Sequence, residues 1–351
     1  MALRLTIRML KLFDQAQKIS WAIALRENPN FFQTRHMANL LLQGSRASRD
    51  PAVVDHVSDI FQDDLLSKGL QQANNLSEFV DSAHWWILNH PTNQIIGLDQ
   101  LQKDFSVGTT QSFESFYWRH RHRRMRCFVG EYFYHLKVWA ATDTNWSFIT
   151  ESDPLQENDA VVISVPFCDT GNQIADLDSI LNHCDQLGIP VLIDCCYYTI
   201  SSGITVNVEH PCIDTVAFSL SKAFPIANLR IGLRYTKPGI FDGQYLMNSI
   251  SYNNNLSAYI GTRIIERFAC DYIYRTYQDR QQILCDYFGW EPSQSVIFAL
   301  GDDRWSMYNR NNLLQAYQLD LNPELFCNRI CLVGIFDNWD IFELIQHETI
   351  H

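Results

Sequence analysis

Apolar and polar positions follow two different periods along this chain. Over the first hundred residues the apolar positions recur at helical spacing, and Trp21 to Leu25, Met37 to Leu42 and Val53 to Leu66 predict helices. Asp50-Pro51 supplies a start for the third, with the proline in the first turn. From about residue 100 the pattern shortens to apolar runs that read as buried strands: Met125 to Val129, Ala160 to Val165, Val191 to Ile193 and Val216 to Phe218. Between the second and third runs, Asp176 to Leu187 places Leu177, Ile180, Leu181, Cys184 and Leu187 on one helical face. Strand, helix, strand at these lengths implies a parallel sheet with right-handed crossovers. Helical spacing returns from Leu256 to Tyr287, and Arg329 to Val333 predicts one late strand. The expected fold class is α/β, a mostly parallel sheet with helices on both faces, joined to a smaller α+β domain. The expected division is an N-terminal helical segment over 1–45 packing with the small domain, a large domain over 46–240 and the small domain over 241–351.

Ligands of such sheets bind beyond the carboxyl ends of the strands, so the residues following each run are the candidates for chemistry. After Val216 to Phe218 come Ser219, Leu220, Ser221 and Lys222. A lysine delivered into a small-residue turn where water is scarce has an amine available as a nucleophile. Eight positions on, Arg230 lies in an otherwise apolar segment, where a guanidinium needs an anion. Gly108-Thr109-Thr110-Gln111-Ser112 opens a helical stretch at Phe113, and the free N–H groups of a helix start make a cup for phosphate or simply a capped end. Asp194, at the tip of Val191 to Ile193, is a carboxylate that must meet a cation or backbone amides, with Tyr197 three residues beyond. Val165 to Asn172 forms a tight turn after another strand, and Phe128 to His135 offers rings, Tyr132 among them, for a flat ligand or for the core. A phosphorylated aldehyde cofactor would use the lysine and the arginine together.

Composition removes several classes. A formal net charge of −12 argues against nucleic acid as the main partner. The basic run Arg119 to Arg126 reads instead as a solvated helix end or a subunit contact. No apolar run reaches membrane-spanning length, and the first eleven residues interleave basic and apolar positions as in an amphipathic helix rather than a secretory signal. The 10 cysteines are scattered and show no metal spacing, which fits reduced thiols in a cytoplasmic protein. No metal ligand is assigned, and His84, His347 and His351 receive no role.

The order Gly108-Thr109-Thr110, an aromatic at Tyr132, Pro166-x-x-x-Thr170-Gly171, Asp194-x-x-Tyr197, Ser219-x-x-Lys222 and Arg230 resembles the fold type I pyridoxal-phosphate-dependent enzymes, in particular the aspartate aminotransferase-like class I/II group. The resemblance runs from about residue 100 to 235. It implies pyridoxal 5'-phosphate joined to Lys222 as a Schiff base, with Asp194 facing the pyridine nitrogen and Tyr197 the phenolic oxygen. It further implies that Gly108, Thr109, Thr110, Ser219 and Arg230 hold the phosphate and that Tyr132 covers the ring. Arg329 matches the arginine that forks onto a substrate carboxylate in this family. Where the family carries an asparagine before Thr-Gly, this chain has Cys168, placed beside the cofactor. The implied activity is transamination of an amino acid or related amine by a homodimer. A lyase, decarboxylase, racemase or oxidase, or a non-catalytic binder of the same fold, shares these residues.

Overall fold

The computed structural model describes residues 45–62, 65–71, 74–309 and 326–339. The helices expected at Trp21 to Leu25 and Met37 to Leu42, and the residues His347 and His351, lie outside them.

Among the described residues twelve strands follow in chain order: β1 (Gln94–Ile96), β2 (Gln102–Ser106), β3 (Arg124–Cys127), β4 (Trp146–Phe148), β5 (Asp159–Ser164), β6 (Val191–Asp194), β7 (Thr205–Asn207), β8 (Ile213–Ser219), β9 (Gly232–Thr236), β10 (Glu291–Pro292), β11 (Phe298–Gly301) and β12 (Asn328–Cys331). Seven of them form the central sheet in the order β2-β9-β8-β6-β5-β3-β4. Only β9 runs against its neighbours; β8, β6, β5, β3 and β4 are parallel. β10, β11 and β12 make a small antiparallel sheet, and β1 pairs with β7. The α/β class with a mostly parallel sheet is therefore observed.

The strands read as unbroken apolar runs because both faces of the sheet are covered. Every residue of β5, β6, β8 and β9 is buried. Each fully buried Val, Leu or Ile contributes about 2 kcal/mol, so these strands anchor the fold. The expected helix after β5 is observed as Leu177–Leu187, ending on Gly188 in the left-handed region (φ 61). Asp50 starts the helix Pro51–Gln62, its carboxylate accepting from Val53 N at 3.1 Å. The long helical run resolves into two helices, Asn255–Arg267 and Tyr272–Phe288. The first lies on the helix Asn75–Leu88 at Gly261, where any Cβ would stand 2.6 Å from the Phe79 ring.

The basic run departs from expectation, because much of it is paired inside the fold. Arg126 is fully buried and meets Asp159 at 2.7 Å, and Arg124 meets the same carboxylate at 2.7 Å. Arg119 bonds Asp214 and, at 2.6 Å, Asp242. Asp242 also holds Arg234 of β9 at 2.6 Å, and Arg234 reaches Asp104 of β2 at 2.6 Å. Burial favours the neutral form of Asp242, yet Arg234 and Ser115 outweigh it and hold its carboxyl well below the ordinary range. This network clamps the antiparallel strand to the end of the helix Gly108–Arg119, whose other end faces the site.

Candidate functional site

Five chain segments leave the carboxyl edge of the sheet and meet at one cavity of about 170 Å³. Its wall contains Thr109 and Thr110 after β2, Tyr132 after β3 and Cys168 after β5. Asp194, Cys196 and Tyr197 come from the end of β6, and Ser219, Ser221, Lys222, Ala227 and Arg230 follow β8. Ser45 and Arg46 complete it.

One end is built for an anion. Gly108 begins its helix at φ +68, a conformation natural to glycine. A Cβ there would collide with the guanidinium of Arg230, so the glycine lets that side chain lie over the helix start. Arg230 itself has φ 55, uncommon for a residue with a side chain, and its Nη2 donates to Thr110 Oγ1 at 3.1 Å. Ser219 and Ser221 hydroxyls are 2.8 Å apart beside it. Backbone N–H groups, hydroxyls and a guanidinium thus converge as a dianion cup requires.

At the other end lies Asp194, buried, with Oδ1 accepting from Cys196 N at 3.0 Å. Burial first, and then the Glu131 carboxylate, push its pKa up to about 8; the Cys196 N–H and Lys222 act in the opposite sense. Among the described residues no ion pair involves it. Glu131 is fixed by Ser164, whose N and Oγ both donate to it at 2.6 Å, and Ser164 is the register partner of Asp194 on the adjacent parallel strand. A carboxylate held in this state is a receptor for a cation entering the cavity.

Between the ends, Tyr132 is steadied by Tyr134 (5.9 Å, stacked) and His135 (5.8 Å, edge-on). Burial raises its phenol to about 12. Burial also raises the Cys196 thiol to about 12, so it stays neutral. Lys222 Nζ donates to Ser45 O at 2.6 Å and lies 5.8 Å from the Tyr197 ring. Tyr197 OH donates to Ser45 Oγ at 3.3 Å.

The structure brings together Thr109, Thr110, Tyr132, Cys168, Asp194, Tyr197, Ser219, Lys222 and Arg230, with Gly108 directly behind the cup. Arg329 is set back from that wall. It donates to the Cys168 carbonyl and stacks on Phe298 at 4.2 Å, and Phe298 meets the Tyr197 ring edge-on at 5.1 Å. Asn172 turns away and accepts from Gln294 N at 2.7 Å. Sequence reasoning missed Cys196, Ser221, Ala227, Ser45 and Arg46, and the Glu131 carboxylate behind Asp194. The first three sit inside motifs already singled out. Ser45 lies 177 residues from Lys222, and no local pattern marks it.

The residues fit pyridoxal 5'-phosphate: an anion cup, a carboxylate able to meet a cation, a cavity walled in part by the Tyr132 ring and one amine. Residues 150–291 match the family model of aminotransferase class I and II. Among curated proteins no sequence matches the chain. Among solved structures, the fold is similar to N-succinyldiaminopimelate aminotransferase from Mycobacterium tuberculosis, at 12% identity and a TM-score of 0.63, covering 87% of this chain and 92% of that one. Tyrosine aminotransferase from Leishmania infantum shares it at 15% identity and a TM-score of 0.55, covering 83% and 87%. A pyridoxal-phosphate-bound C–S lyase from Staphylococcus hominis shares it at 12% identity and a TM-score of 0.58, covering 90% and 95%. The architecture is that of the fold type I enzymes, and the family match supports an enzyme of the pyridoxal-phosphate-dependent transferase type.

Proposed function

We propose that this protein is a pyridoxal-phosphate-dependent aminotransferase acting on an amino acid or related amine, with Lys222 as the residue that joins the cofactor. The observation that carries the reading is one cavity holding Lys222, Asp194, Tyr197, Thr110 and Arg230, drawn from three separate strand ends. When bound, the cofactor supplies an aldehyde carbon for an amine and a ring that draws electrons from the substrate α-carbon.

The chain's own residues divide the remaining work. Gly108, Thr109, Thr110, Ser219 and Arg230 would hold the phosphate. Asp194 would pair with the ring nitrogen and keep it protonated; an ion pair formed there would lower the carboxyl's raised pKa, because a nearby cation favours the charged form. Tyr132 would cover the ring, and Tyr197 and Cys168, in the same wall, would meet its polar edge. With the cofactor in place, Lys222 Nζ would take the proton from the substrate α-carbon and deliver it onward as the general acid–base. Arg329, behind Cys168, receives the substrate α-carboxylate.

A lyase, decarboxylase, racemase or oxidase would use the same cofactor residues, and a shared fold with a C–S lyase keeps that reading in view. Turnover of an amino-acid panel with and without an added keto acid decides between them: transamination requires the acceptor. If purified protein with added cofactor shows no visible absorbance band that Lys222→Ala removes, the non-catalytic reading takes over. The homodimer expected of this reading would cover the apolar residues exposed between 241 and 252, Phe241, Leu246, Ile250 and Tyr252, and light scattering reports it. A reducing, cytoplasmic setting agrees with cysteines that are scattered along the chain and mostly buried. Among the described residues no helix is long and apolar enough to cross a membrane.

A further inference from the structure

The basic run singled out in the sequence is only partly absorbed by the fold. Arg119, Arg124 and Arg126 meet carboxylates inside it. His120 and Arg123 instead line a second cavity of about 330 Å³, larger than the 170 Å³ of the candidate site. It opens at the opposite edge of the sheet. Arg123 precedes β3, Pro190 precedes β6, Pro211 precedes β8 and Lys237 follows the antiparallel β9, so all four gather where the parallel strands begin. The space is open and not a packed seam. A Cβ placed on Gly188, in its wall, would meet no atom within 4 Å apart from its chain neighbours.

Charge in this cavity is unevenly answered. Both of its carboxylates are engaged. Asp214 accepts from Arg119, from Thr215 Oγ1 at 2.7 Å and from His120 Nε2 at 3.2 Å. Asp185 accepts from His210 Nδ1 at 2.7 Å and from Cys212 N at 2.5 Å. Arg123 and Lys237, both half-buried, meet only neutral groups. Arg123 Nη1 donates to the carbonyls of Glu157 and Asp159 at 2.8 and 3.2 Å, and Lys237 Nζ donates to the carbonyl of Pro211. Among the described residues neither cation forms an ion pair. A guanidinium has five donors and an ammonium three, so donors remain on both. Two like charges fixed beside one cavity repel, and an anion entering it answers both at once. A planar fork beside a point charge is the pairing that phosphate oxygens favour. The rest of the wall, with Gly188, Ile189, Pro190 and Pro211, is uncharged and leaves room for an organic body.

We propose that this cavity is a second anion site, in which Arg123 and Lys237 receive the phosphate group of a small phosphorylated molecule. The site stands whether or not Lys222 joins a cofactor, because no residue of its wall belongs to the candidate site.

The test is isothermal calorimetry on protein whose cofactor has been fixed by borohydride reduction, so that the cup at Arg230 is filled. Inorganic phosphate, inorganic pyrophosphate and ribose 5-phosphate are titrated into wild type, Arg123→Gln, Lys237→Gln and the double variant. Cofactor-free Arg230→Gln, which lacks the cup's cation, is titrated alongside. Loss of one charge-assisted contact costs about tenfold in affinity. Wild type should bind saturably, each single variant about tenfold more weakly and the double variant about 100-fold more weakly, with the far-UV spectrum and the cofactor content unchanged. Arg230→Gln should keep the wild-type affinity. Ribose 5-phosphate binding more tightly than phosphate assigns the site to a phosphate ester, tighter pyrophosphate to a diphosphate, and equal binding to the free ion. No saturable binding in wild type overturns the proposal, as does a double variant within twofold of wild type. Binding that is lost in Arg230→Gln lies in the cofactor cup and overturns it too. If no cofactor can be fixed, the reading of Lys222 fails by itself, and the Arg230→Gln titration still decides this one.

Discussion

Replacing Asp194 with asparagine tests the electrostatics of the site without any ligand. In the folded chain burial first, and then Glu131, push the Asp194 carboxyl up to about 8 from the 3.8 of an ordinary aspartate. Between those values the native state holds a proton that the unfolded chain has released. Stability therefore falls as pH rises through this window. The buried histidines act oppositely at the acid end: burial lowers His90 to about 4 and His135 to about 3 from 6.5, so they add stability as pH rises to 6.5. Above pH 6.5 that contribution is complete, which leaves Asp194 exposed as the main source of slope. Each pH unit of the remaining interval is worth about 1.4 kcal/mol, or about 2 kcal/mol between pH 6.5 and 8. For a chain of this length that is a Tm change of about 3 °C. The assay is thermal unfolding of cofactor-free wild type and Asp194→Asn across pH 6 to 8.5. Wild type should lose about 3 °C relative to the variant over the upper interval, and saturating pyridoxal phosphate should abolish the difference in slope. Parallel curves for the two cofactor-free proteins would refute the assignment of a strained carboxylate.

Gly108→Ala forces a side chain onto a left-handed residue and into the Arg230 guanidinium, so fluorescence titration should show cofactor affinity reduced about tenfold while the far-UV spectrum is kept. Arg234→Met leaves Asp104 and Asp242 buried without their shared cation, and urea unfolding should register a loss of about 3–5 kcal/mol. Phe218 packs on Tyr198 and Tyr235 behind the lysine turn; Phe218→Ala should cost about 3–5 kcal/mol in the same assay and loosen cofactor binding with it.

The parallel strands were readable because each is buried on both faces and so is apolar without interruption, as in Ala160 to Ile163. β9 escaped notice because Arg234 sits in its middle, and an arginine reads as surface until Asp104 and Asp242 are known to meet it. The same misreading affected Arg126, which pairs with Asp159 across 33 residues. At the site, the cofactor motifs were legible because each follows a strand directly, and the strand end fixes where the next few side chains go. The wall formed by Ser45 and Arg46 was not. Ser45 and Arg46 reach the cavity through a strap whose position depends on Asp337, nearly three hundred residues away, and nothing near them in the chain encodes that meeting. Glu131 was passed over for a related reason: its role depends on Ser164 and Asp194 being register partners.

The claim on which the account turns is that one amine, at position 222, joins the cofactor. Purified protein mixed with pyridoxal 5'-phosphate, reduced with borohydride and mapped by peptide mass spectrometry tests it without reference to any substrate. The account predicts a single pyridoxyl-phosphate label on Lys222, lost in Lys222→Ala. An unlabelled Lys222, or a label distributed over the other lysines, would contradict it.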